Sequence, residues 1–259
     1  MRRLIVAFGF LTRLPMPRVR VAPDGFAEAI RFYPVVGLAI GAFVALAGWL
    51  GALVDPWTGA CAALLVWTAV TGALHLDGLA DLSDGLGAAH GDRTRLIAVM
   101  ADPHVGSFGV VAIVAQMLAK LVLLHAIGTM GGTMGGTMGG TTTWWAIAGV
   151  PFVARMGPLA WAVLLPPLKA GGLGAAVAGA VRTRDLIGWG MLLALAGVIV
   201  PALLVAPLVI LGFAAWLRRT LGGVTGDAHG AGIEIVETGL LLALAIGNAV
   251  GCTGVGLPG

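Results

Sequence analysis

The chain has 259 residues, of which 59% are hydrophobic and 10% charged, with a mean hydropathy of +1.00. A soluble domain carries about 25% charged residues, so there is too little polar surface here to clothe a water-soluble globule, and disorder is excluded by the same hydrophobicity. The net charge of +3 includes no dense basic patch, which excludes nucleic acid as a partner, and the cysteines Cys61 and Cys252 make neither a disulfide framework nor a zinc spacing.

What remains is an all-α polytopic membrane protein, read as one domain over 1–259 with the lipid bilayer as its setting. The run LIVAFGFL (4–11) is too short to cross, and no small-residue cleavage site follows it. It is expected to lie at the interface, at the head of a basic stretch (1–34) that includes Arg13, Arg18, Arg20 and Arg31. A hydrocarbon core about 30 Å thick needs roughly 20 apolar residues in a helix. Spans are predicted near 35–54, 57–76, 105–127, 144–168 and 232–250. A further apolar run, 186–216, is 31 residues long and interrupted by Pro201 and Pro207, long for one span and short for two.

Charge decides between those readings. Six arginines precede the first span; Arg93 and Arg95 follow the second; Lys169, Arg182 and Arg184 follow the fourth; Arg218 and Arg219 follow the 186–216 run. If that run is a hairpin turning at Pro201, every loop Lys and Arg lies on one side, which the positive-inside rule makes the cytoplasm. Seven spans result, with the N-terminus inside. The segment 128–143, which contains the repeat GTMGGTMGGTMGG, reads as a flexible loop on the other side.

The 12 acidic residues are unevenly placed. Asp77, Asp81, Asp84, Asp92 and Asp102 fall between the second and third spans, and Asp227, Glu234 and Glu237 cluster where the last span begins. The hairpin topology puts both clusters on the same face; a single span would separate them. In HLDGLADLSDG (75–85), Asp77, Asp81 and Asp84 are spaced i, i+4, i+7, so on a helix they share one stripe. No Lys or Arg lies within that run, and a divalent cation would relieve their repulsion. Mg²⁺ is the expected ion, since it takes one or two carboxylates together with water and phosphate oxygens. A solvated acidic loop is the plainer alternative.

In TGDAHGAGIEIVETG (225–239), the glycines allow close approach, and a glutamate inside an apolar span is a functional candidate. Asp227, Glu234 and Glu237 also suit a helix N-terminus, where they would be structural. Gly106, Ser107 and Gly109 open the third span in a form that suits a phosphate, or close helix packing. Lys120 and Arg155 are the basic residues inside spans; an ion pair within the bundle and a substrate role are both open to them. His75, His104 and His229 adjoin the acidic motifs without matching a zinc spacing.

The blocks FLTRLPMP (10–17), RFYPVVGLAIG (31–41), TGALHLDGLADLSDGLGA (71–88), MADPHVGSFGVVA (100–112) and RRTLGGVTGDAHGAGIEIVE (218–237) resemble the adenosylcobinamide-GDP ribazoletransferase (cobalamin synthase) family, in that family's order. AAHGDRTR (88–95) and the Gly-Thr-Met repeat depart from its pattern. The resemblance implies a Mg²⁺-dependent enzyme of the cell inner membrane with its site facing the cytoplasm. It implies small-molecule substrates: a hydroxyl of α-ribazole, or of its 5′-phosphate, attacks the cobinamide-linked phosphate of adenosylcobinamide-GDP, and GMP leaves. On that chemistry Asp77, Asp81 and Asp84 are expected to hold the metal. Asp227 and Glu234 are the expected catalytic carboxylates. Gly106, Ser107, Gly109, Arg93 and Arg95 are expected to bind substrate. A homo-oligomer is left open. Two rivals stand beside this reading. A CDP-alcohol phosphotransferase also uses a DG-led acidic motif, but needs an arginine where Asp81 follows Ala80. A cation transporter would place its acids near the midplane.

Overall fold

The computed structural model describes residues 1–20, 23–133, 137–168 and 173–253, and the regular structure there is helical apart from one isolated bridge between Pro167 and Val224. Helix α1 (Arg2–Leu11) buries Ala7 and Leu11. Its 10 residues rise about 15 Å, too little to cross, as expected of an interfacial segment. α2 (Pro23–Ala27) and a 3₁₀ turn (Glu28–Phe32) lead into α3 (Tyr33–Ala52). α4 (Pro56–Thr71) starts on Asp55, whose carboxylate accepts from the Trp57 and Thr58 amides at 2.8 and 3.1 Å, with Pro56 following the cap where its missing N–H costs nothing.

The chain then turns sharply. Gly72 and Ala73 both take left-handed backbone angles (φ 61° and 58°), and α5 (Leu74–Ala89) leaves at 84° to α4. The expected span 57–76 therefore ends at Thr71, and the acidic motif rides on a helix of its own rather than on a loop. A left-handed alanine costs roughly 1–2 kcal/mol; the Ala73 amide donating to Thr68 O at 3.1 Å and the Arg13 amide donating to Val70 O at 2.7 Å hold the corner.

α6 (Arg93–Val99) is capped by Asp92, and α7 (Ser107–Thr133) and α8 (Thr137–Ala154) follow. These two helices extend into the Gly-Thr-Met repeat, so most of the expected loop is helical and only 134–136 lie outside the described residues. Extending a helix that an apolar span has already nucleated needs little propensity, which is why composition misled here. α9 (Gly157–Leu164), α10 (Leu173–Val177) and α11 (Thr183–Ile199) come next. A 3₁₀ turn beginning at Pro201, the expected break, leads to α12 (Ala206–Thr220) and then α13 (Gly226–Thr253).

Among the described residues, five helical stretches are long and apolar enough to cross a membrane, six if the bent α4–α5 pair counts as one span. α11, the remaining expected span, has 17 residues. Lys169, one of the charges used for orientation, lies outside the described residues. Outward faces carry large exposed apolar side chains, among them Val111, Leu118, Leu195, Val198 and Leu208, as a lipid-facing surface does. α3 packs on α8 backbone to backbone: a Cβ at Gly37 would come within 2.8 Å of Phe152 Cα, and one at Gly41 within 2.8 Å of Ala148 Cα. That spacing of small residues is how helices approach closely where lipid removes the hydrophobic drive.

The basic segments assigned to one side do meet. Arg31 pairs with Glu28 at 3.4 Å and Asp185 at 3.2 Å, and its Nε donates to Ala180 O at 2.7 Å. Arg93 donates to Arg219 O at 2.8 Å, and Arg218 to Leu164 O at 2.5 Å.

Candidate functional site

The two acidic motifs come together where α5 crosses α13. The contact is glycine against backbone: a Cβ at Gly78 would lie 2.6 Å from Asp227 O, and one at Gly230 would lie 3.4 Å from His75 Cα. Only residues without side chains let these helices touch so closely. Beside the crossing is a cavity of about 190 Å³. Asp77, Gly78 and His75 line it from α5, Asp227, His229, Gly230 and Ile233 from α13, and Leu11, Ile30 and Val177 from the N-terminal and α10 segments. Both acidic motifs and the basic N-terminal stretch thus share one end of the bundle. Asp77 and Asp227, which the hairpin reading placed on one face and a single span over 186–216 would have separated, line the same cavity.

The three aspartates of the stripe have different surroundings. Asp77 is exposed, Asp81 partly buried and Asp84 buried. Asp84 accepts from the Gly106 amide at 2.7 Å through Oδ2 and from the Gly109 amide at 2.8 Å through Oδ1. Those amides belong to the first turn of α7, where backbone donors have no partner within the helix. The donors expected to hold phosphate hold Asp84 instead. A side chain at Gly106 or Gly109 would run into that carboxylate, which accounts for both glycines. The stripe is not a three-carboxylate cage: among the described residues no three His, Cys, Asp or Glu side chains are grouped to hold a metal. Helical spacing aligned the acids, but the α7 N-terminus claimed one of them.

The other expected residues lie outside the cavity lining. Ser107 is exposed at the start of α7, and Arg95 is exposed on α6. Arg93 ties α6 to the end of α12, a structural contact. Asp92 caps α6. Asp102 pairs with His104 at 2.7 Å within its own turn, where the His104 backbone N–H, chiefly, and the imidazole hold its carboxyl below the usual range.

Glu234 is turned away from the cavity. It pairs with Lys120 at 2.6 Å and accepts from Gln116 Nε2 at 2.7 Å. Lys120 also reaches Glu237, and its ammonium sits 4.5 Å from the centroid of the Trp67 ring. Glu237 in turn is bound by Arg155, whose Nη2 lies 3.3 Å from His75 Nδ1. Two cations and two anions therefore neutralise one another inside the bundle, joining α7, α13 and the turn that follows α8. Of the two roles open to Lys120 and Arg155, the ion pair is the one formed; the catalytic expectation for Glu234 gives way to a structural one, because burial at 4% exposure demands a paired charge.

His75 and His229, noted beside the acidic motifs in the sequence but given no role there, line the cavity. Both are buried, and His75 Nε2, His229 Nδ1 and His229 Nε2 have no hydrogen-bond partner. Their signal in the sequence was position alone: each lies two residues from an acid, Asp77 and Asp227, that lines the same cavity.

Residues 3–245 match the family model described as cobalamin-5-phosphate synthase. The chain is 56% identical over 250 residues to the adenosylcobinamide-GDP ribazoletransferase of Novosphingobium aromaticivorans, an alignment covering 95% of this chain and 97% of that one. It is 45% identical to the protein of the same name from Thiobacillus denitrificans (96% and 97% covered) and 47% identical to that from Laribacter hongkongensis (95% and 97%). No solved structure matches.

Proposed function

The chain belongs to the cobalamin-5-phosphate synthase family, and we propose that it transfers the cobinamide phosphate of adenosylcobinamide-GDP to a hydroxyl of α-ribazole, releasing GMP and forming adenosylcobalamin. With α-ribazole 5′-phosphate the product is the corresponding 5′-phosphate. The observation that carries this assignment to a site is the sharing of one cavity by Asp77 of α5 and Asp227 of α13.

The donor set fits Mg²⁺. Asp77 and Asp81 stand on successive turns of one helix and supply hard oxygen ligands, and such an ion completes its shell with water and substrate phosphate oxygens rather than with a full protein cage. Asp77 and Asp81 would hold it; Asp84 is committed to the α7 amides. When bound, the ion supplies charge neutralisation on the diphosphate as the bond to GMP breaks. Asp227, across the crossing, takes the proton of the attacking hydroxyl as general base. The apolar walls exclude water, which would otherwise compete as nucleophile. The positive-inside bias of the basic segments supports a cytoplasmic site in the inner membrane.

Purified protein in nanodiscs should release GMP from adenosylcobinamide-GDP only with α-ribazole and Mg²⁺ both present. CMP release from a CDP-alcohol in place of this activity would overturn the assignment. Full turnover in excess chelator would overturn the role of the metal.

A further inference from the structure

We infer that the cavity beside the α5–α13 crossing seats the flat apolar base of the accepting nucleoside, and that His75 Nε2–H donates to the unsubstituted ring nitrogen of that base. The inference rests on the transferase reading above and deepens it.

The protonation of His75 is fixed by its neighbour. An arginine can only donate, so Arg155 Nη2 at 3.3 Å makes Nδ1 of His75 the acceptor. The ring proton is then on Nε2, the atom that is buried and has no partner in the protein. Glu237, bound to Arg155, anchors this arrangement from the far side. His75 is 3% exposed, so water at the surface does not satisfy it. A buried donor left unmet is destabilising, and His75 lines the cavity, where a ligand acceptor would meet it.

The lining selects the class of ligand. Leu11, Ile30, Val177 and Ile233 make its walls largely apolar, Asp77, Asp227 and His229 join His75 as its ionisable lining, and among the described residues no Lys or Arg lines it. Apolar walls of that kind take a flat apolar ring rather than a bare diphosphate, which meets no cationic side chain of the described residues there. A dry apolar cavity of about 150 Å³ holds benzene, so about 190 Å³, opening beside the exposed Asp77, suits a fused ring with its sugar at the mouth. Dimethylbenzimidazole, the base of α-ribazole, is such a ring, and carries a single free nitrogen acceptor. With the base seated, its ribose hydroxyls fall toward Asp77 and Asp227.

The test is equilibrium binding of α-ribazole to the full-length protein in nanodiscs without the second substrate, beside the dimethylindole riboside, in which C–H replaces the ring nitrogen. Wild-type protein should bind the indole analogue about tenfold more weakly. His75→Phe should weaken α-ribazole by about tenfold and leave the analogue within about twofold, a coupling that a merely structural role for His75 would not produce. Val177→Trp should abolish binding of both nucleosides and leave adenosylcobinamide-GDP binding unchanged. Equal wild-type affinity for the two nucleosides, or normal α-ribazole binding by Val177→Trp, overturns the inference, and the first of these needs no variant to fold. GMP release separates this from the parent reading: a wild-type protein that binds α-ribazole as described yet releases no GMP sinks the transferase assignment and leaves the pocket standing.

Discussion

Replacing Asp84 and Asp77 by asparagine should have opposite consequences, although the two residues lie on one stripe of α5. Asp84 accepts from two backbone amides at the start of α7, one on each oxygen. An asparagine keeps one carbonyl acceptor and turns its NH₂ toward the other amide, donor against donor. Losing one charge-assisted hydrogen bond costs about 1.5–3 kcal/mol, and losing the negative charge at a helix N-terminus adds up to about 2 kcal/mol. Asp84→Asn should therefore destabilise by about 3 kcal/mol, roughly a hundredfold in the unfolding equilibrium. Asp77 is exposed at the cavity, and substitutions in such positions usually change stability by less than about 0.5 kcal/mol. Asp77→Asn should fold normally and lose turnover by about a hundredfold or more. Denaturation in mixed micelles followed by tryptophan fluorescence, with GMP release measured on the same preparations, reads both quantities. An Asp84→Asn protein as stable as wild type, or an Asp77→Asn protein that turns over normally, would refute the division of roles.

Glu237→Gln removes one charge from a buried quartet of two cations and two anions, leaving Arg155 or Lys120 uncompensated; a loss of about 3–5 kcal/mol is expected in the same denaturation assay. Gly78→Leu should separate α5 from α13, because a Cβ there already meets Asp227 O at 2.6 Å, and GMP release should fall by more than tenfold while Gly188→Leu, on an open face of α11, changes nothing. In a protein with Cys61 and Cys252 replaced, cysteines introduced at 81 and 227 should react with an impermeant maleimide from the same side of sealed vesicles; labelling from opposite sides would dissolve the site.

Much of the site was legible because it depends on residue type and helical period. The run HLDGLADLSDG shows three carboxylates on one face, and the distribution of arginines led to the expectation that it and the segment of Asp227 lie close, as the shared cavity has them. Neither could reveal that Asp84 would be claimed by Gly106 and Gly109, since a carboxylate paired with a distant helix terminus looks the same in sequence as one awaiting a metal. Glu234 and Glu237 read equally as helix-start acids or as catalytic groups until Lys120 and Arg155 were brought against them. The Gly-Thr-Met repeat was misjudged for the converse reason: composition argued for a loop, while the spans on either side carried helix into it.

Composition and charge thus determined by themselves that this chain is a polytopic helical membrane protein and that its two acidic motifs belong together, because lipid penalises every exposed polar group and the membrane sorts positive charge. Which acid faces the cavity and which is spent on holding helices together was decided only by the packing of α5, α7 and α13, because a buried carboxylate takes its role from whatever donor reaches it.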